Sequence, residues 1–194
     1  MTTDLREPAE PGRHADADGA AAAAIELLTA RGAHEIPHPG GTLLLHLERV
    51  HALLGEWGAR PALRLAGLCH AFYGTDGFAT ALGEATRREE LAEVIGEEAE
   101  WLVHFYAGCD RDFSHPRLAG QKPVFRDRFT GARFQPPEQA RRDFAELTAA
   151  NELDVVRADP TLRARYGGRL LELFTSWESL LSEPARRAVQ ASLP

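Results

Sequence analysis

The chain has 194 residues, 44% of them hydrophobic, and a formal net charge of −7. That length suits one substantial core, and the acidic balance excludes a general nucleic-acid binder, which needs a basic surface. Its two cysteines, Cys69 and Cys109, exclude a disulfide framework and lack the close spacing of zinc or redox motifs.

Residues 1–18 carry charge, Pro and Ala without apolar periodicity, and they lack the basic start and hydrophobic stretch of a secretory signal. They are expected to form a disordered tail, with 19–194 as a single domain. The alanine run Ala20–Ala24 is too short to cross a bilayer, so a cytoplasmic protein without a membrane partner is expected. Helical periodicity then predicts helices near 19–31, 42–57, 61–72, 87–95, 97–108, 138–157 and 168–182, with shorter pieces at 79–84, 160–166 and 184–192. Gly32, Pro61, Gly74, Gly77, Gly96, Pro136 and Pro137 punctuate them. Between helices, at 123–135, Val124–Phe129 and Ala132–Phe134 flank Thr130 and Gly131, the pattern of a small β-hairpin. The expected fold is all-α with this one hairpin inserted.

The predicted helix faces carry unusual polar residues. On the second helix Leu43, His46, Leu47, Val50, Leu53, Leu54 and Trp57 share a stripe, so an imidazole sits among core residues. On the third, Leu63, Ala66, Gly67 and His70 share a face whose small residues admit a close neighbour. A buried imidazole needs a partner, either a hydrogen bond or a metal. His104 falls on a helix apolar on nearly all sides, where packing beside Trp101 and Phe105 also explains it. Asn151 lies on the core side of the long late helix with Asp154 close to one turn on, and His38 precedes His46 in a Gly- and Pro-bounded loop. Imidazole nitrogen with carboxylate or amide oxygen suits a divalent transition metal, and two histidines plus one oxygen leave positions open for water or substrate. The candidate ligands are His38, His46, His70, His104, Asn151 and Asp154, and the cofactor expected is iron, manganese or zinc.

Two further stretches carry chemistry. YGTDGF ends a helix with Asp-Gly turn residues; read functionally, Tyr73, Thr75 and Asp76 supply a phenol, a hydroxyl and a general base beside His70. From Arg111 to Arg142 eight basic residues face three acidic ones in an otherwise acidic chain. Such a segment is either a solvated loop or an anion clamp using Arg111, Arg126, Arg128 or Arg133.

The helix bearing His46, the small-apolar run ending at His70, and TRREELAEVIGEEAEWLVHFYAGCDR together resemble the helical metal-dependent HD domains. These include stringent-response nucleotide hydrolases and, more distantly, inositol-oxygenase-type iron enzymes. The resemblance covers about 38–157. It implies that His46 and His70 are the first two ligands and that Asn151 or Asp154 is the last. Ala71 stands where those domains have Asp, which argues for one metal rather than two. The chain is also similar to uncharacterised small proteins with the pattern HL…LLxxWG…AGLxHxxYGTxxF. Three functions follow as expectations: a metal-dependent hydrolase of an anionic small molecule, favoured; a non-haem iron oxygenase on the same ligands; or a degenerate HD-like module that binds without turnover.

Overall fold

The computed structural model describes the backbone of residues 12–194 and the side chains of 18–194. Nine α-helices occur among the described residues: α1 (Gly12–Ala30), α2 (Leu43–Glu56), α3 (Pro61–Cys69), α4 (Glu89–Ile95), α5 (Glu97–Ala107), α6 (Arg111–Ser114), α7 (Glu138–Ala158), α8 (Pro160–Ser176) and α9 (Glu183–Ser192). Two antiparallel strand pairs complete it, β1 (Pro37–His38) with β2 (Gly41–Thr42) and β3 (Phe125–Arg126) with β4 (Arg133–Phe134). The chain is thus predominantly helical with small hairpins. Of the expected tail, residues 1–11 lie outside the described residues, whereas Gly12–Asp18 belong to α1.

Local chemistry sets the boundaries. The Thr42 hydroxyl accepts the Leu45 amide at 3.4 Å and starts α2, and Pro61 occupies the first turn of α3, where its missing N–H costs nothing. Gly96, at φ 83°, divides α4 from α5 in a backbone conformation that side chains disfavour. Asp159 caps α8 through the amides of Thr161 and Leu162. Ser182 caps α9 and is itself held by the buried Glu146 carboxylate.

Several expected elements differ. Segments 160–166 and 168–182 form one helix ending at Ser176, because Gly167 is packed against Pro194 and the helix continues through the Gly pair. The expected helix at 79–84 is a loop: the Leu82 and Gly83 amides both donate to the Phe72 carbonyl, and the Phe72 ring leaves no room for a Cβ at Gly83. The β1–β2 hairpin and α6 had no periodic signal long enough to mark them. The 123–135 hairpin forms, with Phe125 opposite Phe134 and Arg126 opposite Arg133.

One apolar core joins the helices. Helix α2 packs on α3 and α7, α5 packs on α3 and α7, and α7 also meets α8 and α9. Gly67 lies where α3 crosses α2: a Cβ there would collide with Leu54. Gly67→Ala should therefore overpack the α2–α3 contact and cost about 1–3 kcal/mol in urea unfolding. Gly168, exposed in α8 with open space where a Cβ would sit, is the opposite case: Gly168→Ala should gain about 0.5–1 kcal/mol by helix propensity. Equal effects at both positions would refute the close crossing.

Candidate functional site

Two helices and one hairpin bring His38, His46 and His70 together. Helix α2 directs His46 inward and its stripe buries it completely. His70 lies at the C-terminal end of α3 and is 3% exposed. Gly40 and Gly41, at φ 78° and 135°, turn the β1–β2 hairpin so that the His38 ring stacks on His46, centroids 4.0 Å apart. His46 and His70 meet edge to face at 5.2 Å, and Tyr106 of α5 stands 5.6 Å beyond His70.

Each buried ring is oriented by a fixed acceptor. His46 Nδ1 lies 2.7 Å from Asp154 Oδ2 on α7. Arg49, one turn after His46, clamps that carboxylate from Nε at 2.7 Å and Nη2 at 2.9 Å. Burial alone would raise the Asp154 carboxyl, but the bonds from His46 and Arg49 outweigh it and hold it below its ordinary value. His70 Nδ1 donates to the Gly67 carbonyl at 2.8 Å, which leaves Nε2 to carry the lone pair. Burial, aided by the His46 ring, pushes His70 down to about 3 and His38 down to about 4, so both are neutral at pH 7.

At the other nitrogen, His46 Nε2 is 3.0 Å from Asn151 Oδ1. The amide orientation is set by its nitrogen, which donates to Tyr106 Oη and Glu152 Oε1, each at 3.2 Å. Rotating the amide would put its oxygen against the Glu152 carboxylate. The amide oxygen can only accept, so the 3.0 Å contact is a hydrogen bond received by Asn151.

These side chains wall a cavity of about 180 Å³, completed by Leu43, Ala71, Thr75, Gly77, Phe78, Arg111, Glu152 and Val155. Buried His38 Nδ1 has no partner. Arg111 Nη1 pairs with Glu152 at 3.1 Å and places a cation in the wall.

Of the residues expected at the site, His38, His46, His70, Thr75, Asn151 and Arg111 line this cavity, and Asp154 stands behind His46. The rest lie elsewhere. Asp76 is exposed and accepts the Arg111 amide at 2.8 Å, a brace for the loop rather than a cavity base. Tyr73 turns to buried Glu100, which accepts its hydroxyl at 3.0 Å and is held by Arg88. His104 packs near Tyr73 and Phe129, away from the other histidines. Arg126 pairs with Asp110, Arg128 donates to the Ala107 carbonyl at 2.6 Å, and Arg133 covers Phe113. Sequence reasoning missed Arg49, Tyr106 and Glu152. Arg49 had a signal: it follows His46 by three on α2 as Asp154 follows Asn151 by three on α7, a matched pair of polar steps on facing helices. Glu152 had none.

The donor set supports at most a modest metal site. Among the described residues no three His, Cys, Asp or Glu side chains are grouped to hold an ion. What fits is two imidazoles, His46 and His70, each tied at Nδ1 to a carboxylate or carbonyl in the manner of metal-bound histidines, with the Asn151 oxygen beside them. No helix among the described residues is long and apolar enough to cross a membrane. Residues 27–111 match the model of a family described as a domain of unknown function, DUF6817. That stretch contains the three histidines and Arg111, and stops short of Asn151, Glu152 and Asp154. No curated protein and no solved structure matches the chain.

Two measurements check the orientation of the rings. Long-range proton–nitrogen spectra should show His70 as the neutral Nδ1–H form at neutral and mildly acidic pH; an Nε2–H form would refute the Gly67 contact. Breaking one partner of a buried charge pair costs about 3–5 kcal/mol; Arg49 is 37% exposed, which screens part of this. Asp154→Asn should therefore lose about 2 kcal/mol in denaturant unfolding.

Proposed function

We propose that the chain is a metal-dependent enzyme acting on an anionic small molecule, with hydrolysis as the favoured reaction. The observation that carries this reading is the pair of buried imidazoles tied at Nδ1, one to Asp154 and one to Gly67, beside a cavity that also holds an unpartnered His38 nitrogen and the Arg111 cation. His46, His70 and the Asn151 oxygen would hold the ion. A divalent metal bound there supplies an acidified water and an electrophile.

The chain's own residues do the rest. Arg49 and Asp154 hold the His46 ring in one orientation, so its Nε2 points at Asn151 without reorganisation. His38, neutral because it is buried, has a nitrogen free to accept a proton from water in the cavity. Thr75 offers a hydroxyl contact for orienting a bound molecule. Arg111 stands in the cavity wall, where its cation attracts an anionic molecule.

Metal titration of the purified chain tests the proposal. Parent protein should take up zinc, manganese or iron, and the His46→Ala, His70→Ala double variant should lose that uptake while helical circular dichroism survives. Asn151→Asp should bind metal at least about tenfold more tightly, about 1.4 kcal/mol, and Asn151→Leu more weakly. Equal uptake in parent and double variant defeats the ligand set, and uptake of no metal by the parent defeats the reading.

A further inference from the structure

A second, larger depression of about 590 Å³ adjoins the histidine cavity and shares three wall residues with it: Gly77, Arg111 and Glu152. Its far side is α8, which contributes Tyr166, Leu170 and Leu173 together with the Arg169 cation, and its near side includes Asp112, Pro116 and Thr148. The two spaces are thus separated by one ion pair. Small-molecule sites span about 300–1,000 Å³. The histidine cavity falls below that range and the groove falls within it.

The partition has particular chemistry. Arg111 lies over the Gly77 backbone, where an added Cβ would sit 3.0 Å from Nη1 and push the guanidinium by a few tenths of an ångström. Its backbone amide is fixed by Asp76, and only Nη1 of the guanidinium is taken up, by Glu152. Nε and Nη2 have no protein acceptor among the described residues. Glu152 in turn receives the Asn151 amide as well as Arg111, so its charge is already matched. His115 adds a second polar anchor: it lines the groove, and its Nε2 is buried without a partner. Against these stand the apolar surfaces of Leu170, Leu173 and Pro116, and the exposed Tyr166 ring.

We infer that the groove is the outer half of the substrate site and that the substrate is an elongated amphipathic monoanion. Its acid group pairs with the open side of Arg111 at the partition, its apolar or aromatic body lies along α8, and its reacting end enters the histidine cavity. The inference rests on the proposed function only for what happens at that reacting end. Binding in the groove needs no metal.

Isothermal titration without added metal tests it, using 4-phenylbutanoate as the probe, butanoate as the acid without a body, and 4-phenylbutan-1-ol as the body without an acid. The parent should bind 4-phenylbutanoate at least about tenfold more tightly than either, about 1.4 kcal/mol. Leu170→Asp with Leu173→Asp should abolish the advantage over butanoate, and Arg111→Met the advantage over the alcohol. Both leucines are part-exposed but pack against the core, so helical circular dichroism is recorded on the variant. If it is lost, Tyr166→Ala at its exposed position replaces them and should weaken 4-phenylbutanoate by at least about threefold, roughly 0.7 kcal/mol. Equal affinity for all three probes, no binding at all, or groove variants that behave as the parent overturns the inference. The tenfold pattern in a chain that takes up no metal refutes the metal-dependent reading and leaves the groove standing. Metal uptake with equal probe affinities refutes the groove alone.

Discussion

The Asp154 carboxylate joins α2 to α7 through two different partners on one helix face. Its Oδ2 holds His46 and both of its oxygens are engaged by Arg49. A buried anion of this kind is tolerable only when it is paired and hydrogen-bonded, and three donors from residues three apart on α2 meet that demand at both oxygens. The consequence reaches further than α2. With the His46 ring fixed, His38 has a surface to stack on, His70 an edge to meet, and Asn151 a nitrogen to face. The cavity therefore exists in its observed shape because one carboxylate is held at both oxygens behind it.

The basic segment illustrates how a charge excess can be consumed by structure. Arg117, Arg126 and Arg133 all stack on Phe113, at 4.3, 4.6 and 4.7 Å from its centroid, and Arg126 also pairs with Asp110. These contacts fasten the β3–β4 hairpin to α6. Arg111 alone among the expected clamp residues reaches the cavity, because α6 begins there and Asp76 fixes its amide. YGTDGF is divided in the same way. Tyr73 belongs to the Glu100–Arg88 network, Thr75 to the cavity, and Asp76 to the brace, since successive residues in a tight turn point in different directions.

The helix–helix crossings set what the site can contain. Gly67 lets α3 approach α2 closely and also supplies the carbonyl that orients His70. Gly77 lets Arg111 lie across the boundary between cavity and groove. In both places a missing side chain fixes where a polar group can stand.

How much was legible follows from the range of each interaction. The amphipathic stripe of α2 and the small-residue face of α3 placed His46 and His70 in the core, because a 3.6-residue period is a local property of the chain. The polar break at Asn151 in α7 was visible for the same reason. The sequence by itself therefore determined the helical class, the inserted hairpin and the burial of the two central histidines. Tertiary structure alone decided that Arg49 and Glu152 join them, that Asp76, Tyr73, His104 and three arginines do not, and that segments 160–166 and 168–182 are one helix. Each of these depends on contacts between residues distant in the chain: Arg49 with Asp154, Arg111 with Glu152, Gly167 with Pro194. Local periodicity reports which face of an element is buried. It carries no information on which buried faces meet, since that depends on how whole helices cross, and crossing is set by packing across the core.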